Sequence, residues 1–173
     1  TFTGAPTLQL NGPIDVALIG DSGISGSLTM NLSTLGSFTL ATNNGSISLN
    51  STTFSATGTT FKFLQFYQRG NSALTFNSNI NTPSASFYID SGGSLSLGVG
   101  GNITANRVVF HSVGTMNLNG TVTANFLQLA SDTAINLKSG VATPNLFFAF
   151  APSFSTTKSL ALVGGGRLQI GAG

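Results

Sequence analysis

Three polar residues of different type, Arg69, Asp90 and His111, each stand seven residues ahead of a large apolar residue, respectively Phe76, Leu97 and Leu118. On a repeating scaffold that constant offset would stack a cation, a carboxylate and an imidazole in one column. Such a column has the parts of a ligand patch or of a general base with an orienting partner. It would equally serve as a surface charge ladder that keeps neighbouring rungs in register. The ladder is the preferred reading, because the chain holds one His, no Cys and no Glu, and its acids are Asp15, Asp21, Asp90 and Asp132 alone. Asp15, Asp21 and Asp132 fall at other offsets. Stacked-coil enzymes that cleave acidic polysaccharides align several carboxylates or cations on adjoining coils, for calcium, acid–base work or substrate charge. No catalytic residue, metal ligand or cofactor is therefore assigned, and the chain is expected not to be an enzyme.

The scaffold that would position such a column is written in a phrase of apolar, small polar and apolar residues, often followed by Asn. The apolar pairs are Leu8/Leu10, Leu28/Met30, Ile47/Leu49, Leu74/Phe76, Leu95/Leu97, Met116/Leu118, Ile135/Leu137 and Leu160/Leu162. Their second members lie 20, 19, 27, 21, 21, 19 and 25 residues apart, which is the period of a solenoid coil. Apolar residues two apart share one face of a strand, so each phrase reads as a strand with its pair turned inward. A second strand recurs in the C-terminal half: Ile103 leads to Val108 and Phe110, Val122 leads to Leu127 and Leu129, and Val141 leads to Leu146 and Phe148. Earlier coils carry looser versions, from Phe54 to Phe61/Phe63 and from Ile80 to Phe87/Ile89, whose extra residues should bulge outward. Phe38 and Leu40 make an additional phrase midway through a coil.

Asn11, Asn31, Asn50, Asn77 and Asn119 follow five of the eight pairs. At stacked corners these residues are expected to form an inward amide ladder, each bonding its copies above and below, and Asn tolerates the left-handed backbone of a sharp turn. Asn31, Asn50 and Asn119 also fall in Asn-x-Ser/Thr sequons, as do Asn44 and Asn102, but a corner amide explains the first three without a glycan.

The fold expected is all-β: a single-stranded parallel β-helix solenoid with coils of about 19–27 residues, spanning residues 1–173 as one domain or as a segment of a longer solenoid. Eight coils would rise about 38 Å at the usual strand spacing. A β-sandwich is the alternative, and the strict 19-residue repeats argue against it. Charged residues make up 6% of the 173, so the surface must be hydroxyl, amide and glycine, which suits an extracellular or cell-surface protein better than a cytosolic enzyme. A net charge of +2 on six scattered cations has no cluster for consecutive phosphates, so no nucleic-acid partner is expected. No apolar run approaches the length of a membrane span.

The stretch GNITANRVVFHSVGTMNLNGTVTANFLQLASDTAINL resembles the repeat tracts of filamentous-haemagglutinin-type exoproteins of two-partner secretion, and is similar in rhythm to autotransporter passengers. The resemblance is best from Gly92 to Leu137. It implies a right-handed parallel β-helix that acts as a secreted shaft in attachment or aggregation. The function expected is therefore a non-enzymatic extracellular shaft for adhesion, aggregation or cell-surface structure, with a host or neighbouring cell surface as partner and glycans among its ligands. The alternatives are a filament subunit that self-associates head-to-tail through open solenoid ends, and a carbohydrate-binding or carbohydrate-degrading module. Neither terminus shows a charged coil or a helix that would cap the end, as solenoids normally require.

Overall fold

The computed structural model describes residues 13–138, 141–143, 146–156, 161–162 and 167–171. In chain order the strands are β1 (Asp15–Gly20), β2 (Ile24–Gly26), β3 (Thr29–Asn31), β4 (Ser37–Thr42), β5 (Ile47–Ser55), β6 (Phe63–Gln68), β7 (Leu74–Ser91) and β8 (Leu95–Leu97). They continue with β9 (Asn102–Ser112), β10 (Met116–Leu118), β11 (Thr121–Ser131), β12 (Ala134–Leu137), β13 (Val141–Thr143), β14 (Leu146–Phe150), β15 (Ser153–Thr156), β16 (Ala161–Leu162) and β17 (Arg167–Gly171). Every pairing among them is parallel, and the described residues contain no helix. The chain is a β-solenoid of about seven turns.

Each turn has three faces. Face A runs through β1, β4, β6, the end of β7, the second halves of β9 and β11, then β14 and β17. Face B runs through β2, the starts of β5 and β7, then β8, β10, β12 and β15. Face C runs through β3, the middle parts of β5 and β7, the starts of β9 and β11, then β13 and β16. Turn length varies with the corners, from 19 residues between Asn106 and Asn125 to 27 between Ile47 and Leu74.

Within each face, alternation along the strand turns one row of side chains inward. Leu74/Phe76, Leu95/Leu97, Met116/Leu118 and Ile135/Leu137 lie directly over one another on face B and are buried. Face A adds Leu64/Phe66, Phe87/Ile89, Val108/Phe110 and Leu127/Leu129. The N-terminal half is packed with rings that meet edge to face, Phe66 on Phe87 at 5.1 Å and Phe87 on Phe110 at 5.2 Å. The shorter C-terminal coils are filled mainly by Leu, Val, Ile and Met, with Phe147 still buried among them. Each such side chain contributes about 1.5–3 kcal/mol on burial.

Several phrases sit elsewhere than their spacing implies. Met30 pairs with Phe54, so Leu28/Met30 belongs to the approach to face C and not to the face-B file. Leu162 pairs with Thr143, again on face C, while Leu160 and the Leu8/Leu10 pair lie outside the described residues. Phe38 and Leu40 are ordinary face-A residues, stacked on Leu64 and Phe66. Leu64 and Phe66 take the inward positions expected of Phe61 and Phe63; Phe61 is buried just ahead of the strand, and Phe63 faces out, 43% exposed. In β14 the inward pair is Phe147 and Ala149, one residue on from Leu146 and Phe148. The extra residues of β7 do bulge outward: Pro83 and Ser84 are exposed at the register shift between Thr82 and Ser86.

The inward Asn ladder is not what holds the corners. Asn31, Asn50 and Asn77 are exposed and Asn119 is half-buried, and Asn31 lies over Ser55 on a different face from the stacked pair Asn50 and Asn77. Asn11 lies outside the described residues. The amide contacts that do form are on the outside, from Asn102 to Asn79 (3.1 Å), Asn125 to Asn106 (2.8 Å) and Asn136 to Asn117 (2.9 Å). The buried corner file is Thr42, Gln68, Ser91, Ser112 and Ser131, stacked in register where face A turns into face B. Their side chains bond turn carbonyls: Thr42 Oγ1 donates to Gly45 O (2.7 Å), Ser91 Oγ to Ser94 O (3.3 Å) and Ser112 Oγ to Gly114 O (2.7 Å). A small hydroxyl suits this position because a tight turn leaves polar backbone groups facing inward, away from water. Glycine is needed beside it, since a Cβ on Gly93 would drive into the Ser72 carbonyl of the coil beneath.

Two stability outcomes follow from these positions. Phe87→Ala should cost about 3–5 kcal/mol in urea unfolding, whereas the outward Ser96→Ala should stay within about 0.5 kcal/mol. Ser131 Oγ donates to Gly114 O and accepts from the Thr133 and Ala134 amides, so Ser131→Ala should cost about 1–3 kcal/mol in the same assay.

Candidate functional site

The outward rows of the three faces differ in chemistry. Face B presents Ser48, Thr75, Ser96, Asn117 and Asn136 in file, and face C presents residues such as Asn79, Asn81, Asn102 and Thr121. Face A alone carries outward aromatic side chains among the described residues: Phe63, Tyr67, Tyr88, Phe126, Phe148 and Phe150. It also carries Asp90, Arg107 and His111.

Asp90 lies over Tyr67 and beneath His111, and Ala130 follows on the next coil. Two members of the expected column, Asp90 and His111, are thus brought together, with His111 Nδ1 2.8 Å from Asp90 Oδ1. Arg69 is not in the column. It occupies the corner two residues past Tyr67, because the turn from β6 to β7 is longer than the turns from β7 to β8 and from β9 to β10. Asp132, set apart by its offset, instead joins the group: its Oδ1 lies 3.5 Å from His111 Nε2. The imidazole is therefore held between carboxylates from the coil below and the corner above.

Burial draws the pKa of His111 down, but the hydrogen bond and charge of Asp90, followed by those of Asp132, outweigh it and raise the value above the ordinary 6.5. The side chains of His111, Asp90 and Asp132 are 41%, 60% and 61% exposed, so solvent screens these contacts and their contribution to stability is small. A protonated His111 ties three successive coils together. Among the described residues no group of three or more His, Cys, Asp or Glu side chains is arranged to hold a metal ion.

Beside this triad the corner forms an open depression of about 440 Å³, lined by Tyr67, Gln68, Arg69, Asp90, Gly92, His111 and Val113. Further up face A, the Arg107 guanidinium carbon lies 3.9 Å from the centre of the Phe126 ring. Phe126 meets Phe148 at 5.7 Å, and Phe148 stacks on Phe150 at 6.3 Å with 13° between ring planes. Phe148 reads as a core residue while Leu146 and Phe148 are taken as the inward pair of their strand, which hides this aromatic file. Phe126 is its legible member, since it immediately precedes the inward Leu127/Leu129 pair and must therefore face out.

Because His111 is the only His, its ring protons give one resolved titration. By NMR its pKa should lie above 6.5, and Asp90→Asn should lower it; a wild-type value at or below 6.5 would contradict the geometry. The sign of the linked stability follows: the contribution is fully present below the unfolded-state pKa and is lost as pH rises through the raised folded value. Asp90→Asn should reduce that acid-side gain in urea titrations at pH 5.5 against pH 8.

Compared with family models, with curated proteins and with solved structures, the chain matches none.

Proposed function

We propose that this chain is a non-enzymatic extracellular β-helical shaft that serves adhesion, aggregation or cell-surface structure. The observation that carries the reading is the unbroken run of three parallel ladders through about seven turns, which makes one stiff body. Two further features support it. Faces B and C are clad in hydroxyl and amide groups, a surface suited to solubility outside the cell without charge. The titratable cluster Asp90–His111–Asp132 joins coils in the manner of a staple, with a carboxylate beside each ring nitrogen of the imidazole. The resemblance of residues 92–137 to two-partner-secretion exoproteins points the same way.

Displayed on non-adherent bacterial cells, the chain should increase cell settling or attachment to a surface relative to empty display. Purified, it should appear by electron microscopy and scattering as short monodisperse rods about 34 Å long, and should release no reducing ends from polysaccharides. Filaments that lengthen with time would favour a head-to-tail subunit, and steady release of reducing sugar would replace the shaft with an enzyme.

A further inference from the structure

We propose that the outward side of face A is a binding surface for a neutral, linear glycan. This goes beyond the shaft reading, since a shaft needs no such surface.

The first ground is segregation. Outward rings stand on one of three faces and are missing from the described parts of the other two. Outward rings, half-buried or exposed, raise the hazard of non-specific association, so their confinement to one face calls for an occupant. The second ground is the arrangement. Phe63 and Tyr88 meet at 6.2 Å, with Tyr67 beside them, and the Phe126–Phe148–Phe150 group lies about three rungs higher, roughly 14 Å along the stack. Between them lie polar groups: Asp90, His111, Gln128 and the corner depression.

A pyranose offers a face rich in C–H bonds and an edge of hydroxyls that both donate and accept. Aromatic rings take the first and mixed donors and acceptors take the second. The Tyr67 and Tyr88 hydroxyls and the Gln128 amide make no side-chain hydrogen bond to another described residue, so they stand ready for ligand hydroxyls. Charge then chooses among glycans. Lys62, Arg69 and Arg107 are set against Asp15, Asp90 and Asp132 on or beside the same face, so apart from His111 the charges balance and no field draws in a polyanion. A protein partner, including a second copy, would have to bury the exposed Asp90–His111 pair and the Gln128 amide at the centre of its interface, where charge is normally depleted.

The experiment is titration calorimetry of the whole chain with cellohexaose, laminarihexaose and chitohexaose, alongside polygalacturonate and heparin. At least one neutral hexamer should bind in preference to both polyanions. Tyr88→Ala should weaken that binding about three- to tenfold, and Phe126→Ala should do so independently, while Thr75→Ala on face B should leave it unchanged. Circular dichroism shows that each variant keeps its β fold before it is scored. Absence of binding to all three hexamers, a preference for the polyanions, binding indifferent to both ring deletions, or dimerisation abolished by Tyr88→Ala without glycan affinity would each overturn the proposal. Those outcomes leave the shaft reading standing, because settling of displaying cells is measured separately.

Discussion

Parallel stacking in register, each residue lying over its own counterpart, is the constraint from which the rest of this molecule follows. It makes like meet like along the whole stack. Leu97 lies on Phe76 and under Leu118, so the core is one continuous column instead of a set of local clusters. The same rule puts Thr42, Gln68, Ser91, Ser112 and Ser131 in a buried file at one corner, where their side chains satisfy turn backbone that water cannot reach. It also leaves no space for a Cβ at Gly93, where the backbone of one coil presses on the next.

How far the fold was legible depended on where chain length could vary. Strands cannot gain a residue without turning their side chains inside out, so period-two phrases from Ile47 to Leu137 survive intact and are readable. Corners can gain residues freely, and counting across them fails. Arg69 illustrates this: seven residues back from Phe76 is the corner, whereas seven back from Leu97 or Leu118 is the end of face A. Asp132 was misplaced for the converse reason, since a residue in a corner reaches the coil beneath whatever its offset from the strands. The Asn ladder failed on parity. Asn50 and Asn77 follow the second inward residue of each phrase, and the next position along a strand faces out. Asn119 follows it too, at a turn, and is half-buried.

The three faces are not equivalent, and the proposed function draws on that inequality. Faces B and C repeat a few hydroxyl and amide residues, as expected where the only demands are solubility and register. Face A departs from this with rings, an Arg set over a ring, and an imidazole held between carboxylates. The stack keeps the same parallel register on face B, where Ser96 and Asn117 take the outward positions with neither ring nor charge. A stiff column with one chemically distinct side is suited to presenting that side to a polymer or a cell surface.

Cysteine pairing tests the stacking directly, since the chain has no Cys of its own. Ser96 and Asn117 are outward register partners on adjacent coils, about 4.8 Å apart, while Ser96 and Asn136 are two rungs apart at roughly 10 Å. Under mild oxidation S96C/N117C should form an intramolecular disulfide and S96C/N136C should not, because a bridge needs Cα atoms within about 7 Å. Efficient pairing of S96C with N136C, or failure of S96C with N117C in folded protein, would contradict parallel in-register stacking.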